Sequence, residues 1–550
     1  LTRDEWIQIA ETMQHNITDE VIEKAIRSYP PEVFEKYGEE TIEIMKVRRD
    51  KLAEVTRRFY DMIASVVSVP GSNKRERYII DVLPEKRMRV RVFKITQKGK
   101  QKDKYYDRTF SAGETKEIRL YGMGGADEFT IRGDYSAGIK LIVVGGPGED
   151  VFTDKTTVRR IKKAIELFDT KTGNEIPDTK NTHVHTSANP MINAYDYEGE
   201  FKWNRIALGG FFNYNNDDGV FIGGGPRFIR HGFRKQPASV EHYIRGNLAP
   251  LTGAANIRYS GDWYQIVGNW NARVDADVFF PESYQNFFGL GNETVETQEN
   301  REFYRARFRG YSFEPKLNTT IRQQPMVNYF AGTRLSIFNV DDDPDRVTQI
   351  IQEGTSGNPF DEEWFGSVLT GFSVIDVDNL NNPKQGYQFR FLGEMNTGIE
   401  NTSANFARIE TSLSVYYSAR FFPQITFANR TDFGHNIGDF PFYRASTIGG
   451  RQNMRGLRGT RFAGRTHLAT NTEARIELFD FYRYVLGGKV GINPFFDVGR
   501  VWQDGEQSRI WHYAVGSGVW LNVFDVFLIN ASYGIAEDSS LFTITTGFFF

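Results

Sequence analysis

Residues 541–550, Leu-Phe-Thr-Ile-Thr-Thr-Gly-Phe-Phe-Phe, alternate large apolar side chains with small polar ones. On a strand, Phe542, Ile544, Phe548 and Phe550 share one face, and Thr543, Thr545 and Gly547 share the other. An edge strand this apolar would invite aggregation in water. It is tolerable where the strand closes a barrel whose outside meets lipid. Phe548 and Phe550 are therefore read as the terminal-strand signal of such a barrel.

The alternation recurs upstream. Ala407, Ile409, Thr411, Leu413, Val415, Tyr417 and Ala419 fall on one face of a segment, with Arg408, Glu410, Ser412, Ser414, Tyr416 and Ser418 on the other. Tyr387, Phe389 and Phe391 alternate with Gln388 and Arg390, and Asp218-Gly219 is a hairpin signal. About sixteen such segments fill residues 201–550, an even number that suits an outer-membrane barrel. A soluble sandwich also alternates, but charges on one face of so many successive strands are cheap only in a wet lumen. The 45 Phe, 26 Tyr and 52 Gly suit aromatic girdles and tight turns. No run approaches the ~18 apolar residues of a membrane helix. A mean hydropathy of -0.47 fits a barrel, because only alternate residues face lipid. The net charge of -3 gives no basic field for nucleic acid. With no cysteine, disulfides and thiolate metal sites are excluded.

The first 200 residues read differently. Residues 1–69 are expected to be helical, with Thr18 capping one helix and Pro30-Pro31 ending it. Ile42, Met45, Leu52, Val55, Phe59, Met62 and Val66 then mark the apolar stripe of a longer helix, stopped by Pro70-Gly71. Its polar face mixes both signs of charge, which favours packing on a neighbour over lying on a membrane. Residues 72–155 switch to strand alternation and form a small β-rich module, roll- or sandwich-like. Gly122-Met-Gly-Gly-Ala-Asp-Glu-Phe129 and Gly145-Gly-Pro-Gly-Glu-Asp-Val-Phe152 form its corners. The second fits the repeat of calcium-binding β-rolls, which makes Asp127 and Asp150 weak calcium candidates beside the plainer reading as turns. No cofactor is otherwise expected. Arg132-Gly-Asp134 is an adhesion-like tripeptide, but so short a match is read as chance in a turn. Residues 156–200 read as a linker. His183-Val-His185 has zinc-like i, i+2 spacing on a strand, but with no third ligand evident it is read as solvated. The chain opens at Leu1 without a leader, so either a signal peptide has been removed or a longer protein precedes it.

One segment of the barrel breaks pattern. Residues 449–465 hold five arginines and five glycines. Glu473, Arg475 and Glu477 lie opposite Ala474, Ile476 and Leu478 on the next strand, and Asn493, Asp497 and Gly499 lie opposite Ile492, Phe496 and Val498 on the one after. A cationic loop and lumenal carboxylates suggest a loop folded inward and pinned by ion pairs. A solvated extracellular loop remains open on chemistry alone.

Met454-Arg-Gly-Leu457 resembles the tip of the long inward loop in the superfamily of outer-membrane insertases and two-partner-secretion transporters, the bacterial surface antigen family. Glu473 in Thr472-Glu-Ala-Arg-Ile-Glu-Leu478 and the strand Phe496-Asp-Val-Gly-Arg-Val-Trp502 resemble its next two motifs, in the family's order. Asn286-Phe-Phe-Gly-Leu-Gly-Asn292 is similar to a further segment of that family. Leu457 stands where an aromatic is usual. The resemblance implies a mainly β chain, with an outer-membrane barrel of about sixteen strands and an inward loop, preceded by periplasmic helices and a β-rich domain. It implies that Arg455 pins Gly456 and Leu457 through Asp497 and Glu473, and that a weak seam joins the first and last strands. It implies insertion of outer-membrane proteins or translocation of polypeptide, with lipid, assembly subunits and substrate chains as partners. The N-terminal part lacks the family's usual order of periplasmic repeats. It resembles the segment that joins a calcineurin-like phosphoesterase to such a barrel in Bacteroidetes-type proteins. That implies a second possibility, an anchor for an enzyme lying before Leu1. No catalytic motif is visible in these 550 residues.

Overall fold

The computed structural model describes every residue except 1, 135–137, 158–164, 177–180, 196–201, 299, 322–323, 348–349, 352–359, 420–422 and 484–485. The chain divides into two compact units, Leu1–Glu200 and Phe201–Phe550.

The first unit starts with four helices, α1 (Arg3–Asn16), α2 (Asp19–Ile26), α3 (Pro31–Asp50) and α4 (Leu52–Ala64). Thr2 and Thr18 cap α1 and α2 through their hydroxyls, and Pro31 opens α3, where its missing N–H is not needed. Ile22, Ile26 and Ile42 form a small core between α2 and α3. The long helix expected from the apolar stripe is broken at Lys51. The stripe therefore changes face, and Met45, Val55 and Phe59 stay exposed.

A parallel β-roll follows. Its strands are β1 (Val66–Pro70), β2 (Glu76–Leu83), β3 (Arg87–Ile95), β4 (Gln101–Ser111), β5 (Glu117–Tyr121), β6 (Glu128–Asp134), β7 (Lys140–Val144), β8 (Val151–Thr157), β9 (Ile165–Thr170) and β10 (Thr182–Ser187). One sheet, ordered β1-β5-β7-β9-β10, is parallel throughout. The facing sheet, ordered β4-β3-β2-β6-β8, is parallel across β2, β6 and β8, with β3 and β4 added as an antiparallel hairpin. The chain thus alternates between sheets, and each coil stacks on the last. Tyr78, Phe129 and Phe152 stack ring on ring through three coils, at 4.5 and 5.1 Å. Ile118, Leu120, Leu141, Val143, Ile165 and Leu167 face them from the other sheet.

Two boundaries move. Val66–Pro70 is a strand, not helix, because β5 offers it a parallel partner. Residues 156–200 are not simply a linker: β9 and β10 complete the parallel sheet, and Ile165 and Leu167 are buried in its core.

The second unit is one antiparallel sheet. Its strands are β11 (Arg205–Asn215), β12 (Gly219–Arg230), β13 (Val240–Leu248), β14 (Ala255–Val267), β15 (Trp270–Asn286), β16 (Arg305–Ile321), β17 (Met326–Val340), β18 (Glu363–Val377), β19 (Gly386–Glu400), β20 (Asn405–Ala419) and β21 (Ile425–Gly438). A short hairpin of β22 (Ser446–Ile448) and β23 (Phe462–Gly464), with the helical turn α5 (Gly450–Asn453) between them, leaves the wall. The wall resumes with β24 (Thr466–Arg483), β25 (Leu486–Ile492), β26 (Phe495–Trp502), β27 (His512–Val523), β28 (Phe527–Ala536) and β29 (Ser540–Thr546). Wall neighbours follow chain order throughout. β25 and β26 each pair with both β24 and β27, so they are one strand interrupted at Asn493-Pro494, where proline lacks a ladder donor. Among the described residues the wall therefore counts sixteen strands.

The sheet curls into a barrel that brings β11 beside β29, yet no ladder joins the two among the described residues. Tyr417 is 65% exposed while Ser418 beside it is 5% exposed. Val415, Phe427, Val519, Tyr533 and Phe542 likewise point out. An exposed apolar surface of this extent suits lipid rather than water. Among the described residues no helix is long and apolar enough to cross a membrane.

Candidate functional site

The segment between β21 and β24 fills part of the barrel interior. Ile448, Met454, Leu457 and Phe462 are buried with Ala469, Val501 and Ala514 of the wall. Leu457 is fully buried, so an aliphatic side chain occupies the position where a ring was expected.

Arg455 stands at the centre, 4% exposed. Its Nε and Nη2 donate to the two oxygens of Asp497 at 2.9 and 2.7 Å, and its main-chain N–H donates to Asp497 Oδ2 at 3.0 Å. Its Nη1 donates to Glu473 Oε2 at 2.6 Å. Glu473 Oε1 accepts from Arg475 Nε at 2.8 Å. Alternation along β24 and β26 aims both carboxylates inward, and Glu473 and Asp497 are essentially inaccessible. Two arginines thus meet two acids in a place water does not reach. Such a cluster holds only because the forked, bidentate geometry satisfies each charge.

Rings cover the open faces of the arginines. Phe495 lies 3.7 Å and Phe549 4.5 Å from the Arg455 guanidinium, and Phe548 lies 3.9 Å from that of Arg475. Arg475 Nη2 also donates to the Phe550 carbonyl at 2.6 Å. Phe548 and Phe550, read in the sequence as part of the terminal strand, lie beyond its end. β29 ends at Thr546, the chain turns at Gly547 with φ +94°, and the last three rings go to the cations. Cation–π contact with buried guanidinium groups favours this arrangement.

Gly456 shows why the loop tip needs glycine. Its φ is +88°, and a Cβ there would lie 3.1 Å from the Gly534 carbonyl carbon on β28. Its own carbonyl accepts from Ser539 Oγ at 2.8 Å.

The remaining arginines of the loop reach different parts of the wall, and sequence reasoning had assigned them no partners. Arg458 pairs with Asp217, in the turn between β11 and β12, at 3.0 Å. Arg461 pairs with Asp538, in the turn between β28 and β29, at 2.5 Å, and donates to the Thr294 carbonyl at 2.9 Å. Arg465 pairs with Asp504 at 2.6 Å, and Arg451 donates to the Tyr214 carbonyl at 3.0 Å. Asn286 Nδ2 donates to Asp217 at 3.1 Å and to the Gly459 carbonyl at 3.3 Å. Asn292 accepts from the Val501 N–H at 2.8 Å, and Gly291 N–H donates to the Ala463 carbonyl at 2.8 Å. The Asn286–Asn292 segment thus runs beneath the loop and ties it to β26.

Asp127 and Asp150 lie far along the chain, in the roll. Glu76 N–H donates to Asp127 Oδ1 at 2.7 Å, Asp127 N–H to Asp150 Oδ1 at 2.7 Å, and Asp150 N–H to Asn174 Oδ1 at 2.8 Å. They are rungs of a ladder linking successive corners. Burial pushes the Asp127 carboxyl up to about 9 and the Asp150 carboxyl up to about 7. A Cβ on Gly145 would lie 2.1 Å from Asp169 Oδ2, which is why that corner is glycine. One oxygen of each carboxylate thus accepts a main-chain N–H, the bonding of a structural ladder.

Residues 367–536 match the model of the Omp85 superfamily domain. This stretch is an Omp85 superfamily domain. It contains Arg455, Glu473 and Asp497. Similar solved structures include BamA from Haemophilus ducreyi lacking POTRA domains 1-3, with 12% identity over 62% of this chain and 71% of that one, at a TM-score of 0.46. CdiB from Acinetobacter baumannii shares 13% identity over 63% of this chain, at a TM-score of 0.37. CdiB from Escherichia coli shares 14% over 67%, at 0.41. The chain described here spans 60% and 65% of those two CdiB chains. No curated protein matches it.

Proposed function

We propose that this barrel inserts or translocates polypeptide at the bacterial outer membrane, with the first unit in the periplasm, and that loop 449–465 is the lock on its seam. One observation carries the reading. The loop is fastened on both sides of the only wall junction without a ladder among the described residues. Arg458 holds the turn that follows β11, while Arg461 and Gly456 hold the turn that precedes β29. Both turns sit at the same rim. At the opposite rim the chain beyond β29 leaves the wall for Arg475. Strand edges without partners present N–H and C=O groups on which an incoming strand can add.

Cysteine pairs scanned between residues 206–210 and 541–545 test this, since the chain has no cysteine of its own. An oxidised pair should block insertion of a client barrel into liposomes, and reduction should restore it. Insertion that continues with the seam crosslinked overturns the reading. A second reading, an anchor for an enzyme upstream, is favoured by the form of the first unit, four helices and a β-roll. An anchor would be indifferent to the crosslink.

A further inference from the structure

We infer that Glu166, His183 and His185 form a binding site for a first-row divalent transition metal on the outer face of the roll.

β10 is the end strand of the parallel sheet, and it places His183 and His185 on one side, away from the core. The parallel register sets His183 beside Glu166 of β9 and His185 beside Phe168. Adjacent strands thereby supply the third ligand that the sequence, read linearly, does not show. The candidate donor atoms all lie within 4.8 Å of one another, and His185 Nε2 is 4.0 Å from Glu166 Oε2. Metal–donor bonds of about 2 Å need donors roughly 3–4 Å apart, so small rotamer changes suffice.

The surroundings prepare the donors. The His185 ring stacks on Phe168, centroids 4.4 Å apart and nearly parallel, which fixes its plane. The His183 and His185 rings lie 4.2 Å apart, so both imidazoles reach the same patch of the outer face. Lys140 on β7 pairs with Glu166 Oε1 at 2.9 Å. That contact orients the carboxylate and leaves Oε2 toward the histidines.

Two imidazoles and one carboxylate favour zinc-class metals over calcium or magnesium, which prefer all-oxygen shells. Three protein ligands leave a fourth position for water or an outside donor. The physical effect is a staple. Among the described residues β10 has β9 as its only neighbour in the sheet, and end coils of stacked folds need capping. A metal held from both strands fixes this last pair.

Titration of the full-length, tag-free, chelator-treated protein in detergent with zinc chloride tests the site by calorimetry. Cobalt absorption in the visible reports its geometry. One saturable site is expected. His183→Ala and His185→Ala should each weaken binding at least tenfold, and Glu166→Gln should weaken it several-fold. His242→Ala, a barrel histidine bonded to Tyr259, should leave it unchanged. Zinc should also slow amide exchange in β10 in the wild type and not in His185→Ala. The proposal is overturned if no saturable site is found, or if both histidine variants bind zinc as the wild type does.

Discussion

Arg455 ties the inward loop to the barrel wall. It closes bonds to two inaccessible carboxylates and lies against two rings. Removing one partner of a buried ion pair strands the others, at about 3–5 kcal/mol. Arg455→Ala should therefore lower the barrel's thermal midpoint markedly in detergent, read as the loss of the compact band on unheated gels. Arg455→Lys should fall between, since an ammonium cannot grip Asp497 with two parallel bonds. An unchanged midpoint for Arg455→Ala would show that the cluster is not needed for stability. Alternation along two strands put Glu473 and Asp497 on the lumenal face in the sequence, but left the loop between an inward and a solvated course; the family resemblance is what singled out Arg455. The contacts of Arg458 and Arg461 were not legible, because Asp217 and Asp538 sit in turns far away in the chain and carry no pattern of their own.

The roll shows the opposite balance. Two of its corners, at Gly122–Asp127 and Gly145–Asp150, were visible as a repeat. The first, Gly71–Glu76, was hidden: the β3–β4 hairpin separates it from the second, and a glutamate replaces the aspartate. The fourth uses Asp169 and Asn174 where glycine and aspartate stood before. Only stacking reveals them as one ladder, and only the register exposes β9 and β10 as its continuation. The ladder also sets a pH dependence. Asp127, facing Glu76, Asp150 and Arg75, and Asp150, facing Asp169, hold protons in the fold that the unfolded chain releases above about pH 4. Their stabilisation is whole below that value. It erodes as pH rises, by up to about 1.4 kcal/mol per unit per group, and ends above about 7 for Asp150 and about 9 for Asp127. Calorimetry of the full chain between pH 4.5 and 9 should show the roll's transition falling with pH. Asp127→Asn should flatten that slope. A roll whose midpoint rises over this interval would contradict the protonated ladder.

At the scale of the molecule, the wall is uneven. β20 is laddered to β19 over Asn405–Tyr416 and to β21 over Phe406–Ala419, whereas among the described residues β11 and β29 each have one neighbour. Amide exchange at 205–215 and 540–546 should run at least tenfold faster than at 405–419, because one-sided strands leave half their donors to solvent. Equal protection would mean the seam is laddered in solution. The roll is built to another plan. Each coil, such as the one from Gly122 to Gly145, ends in a corner with its own ladder rung and turns an aromatic ring and aliphatic side chains inward. A whole coil duplicated or deleted would leave every remaining interface matched. The reach of this part of the chain is therefore adjustable in discrete steps by simple gene duplication, while the barrel, whose strands must still meet around a ring, offers evolution no such freedom.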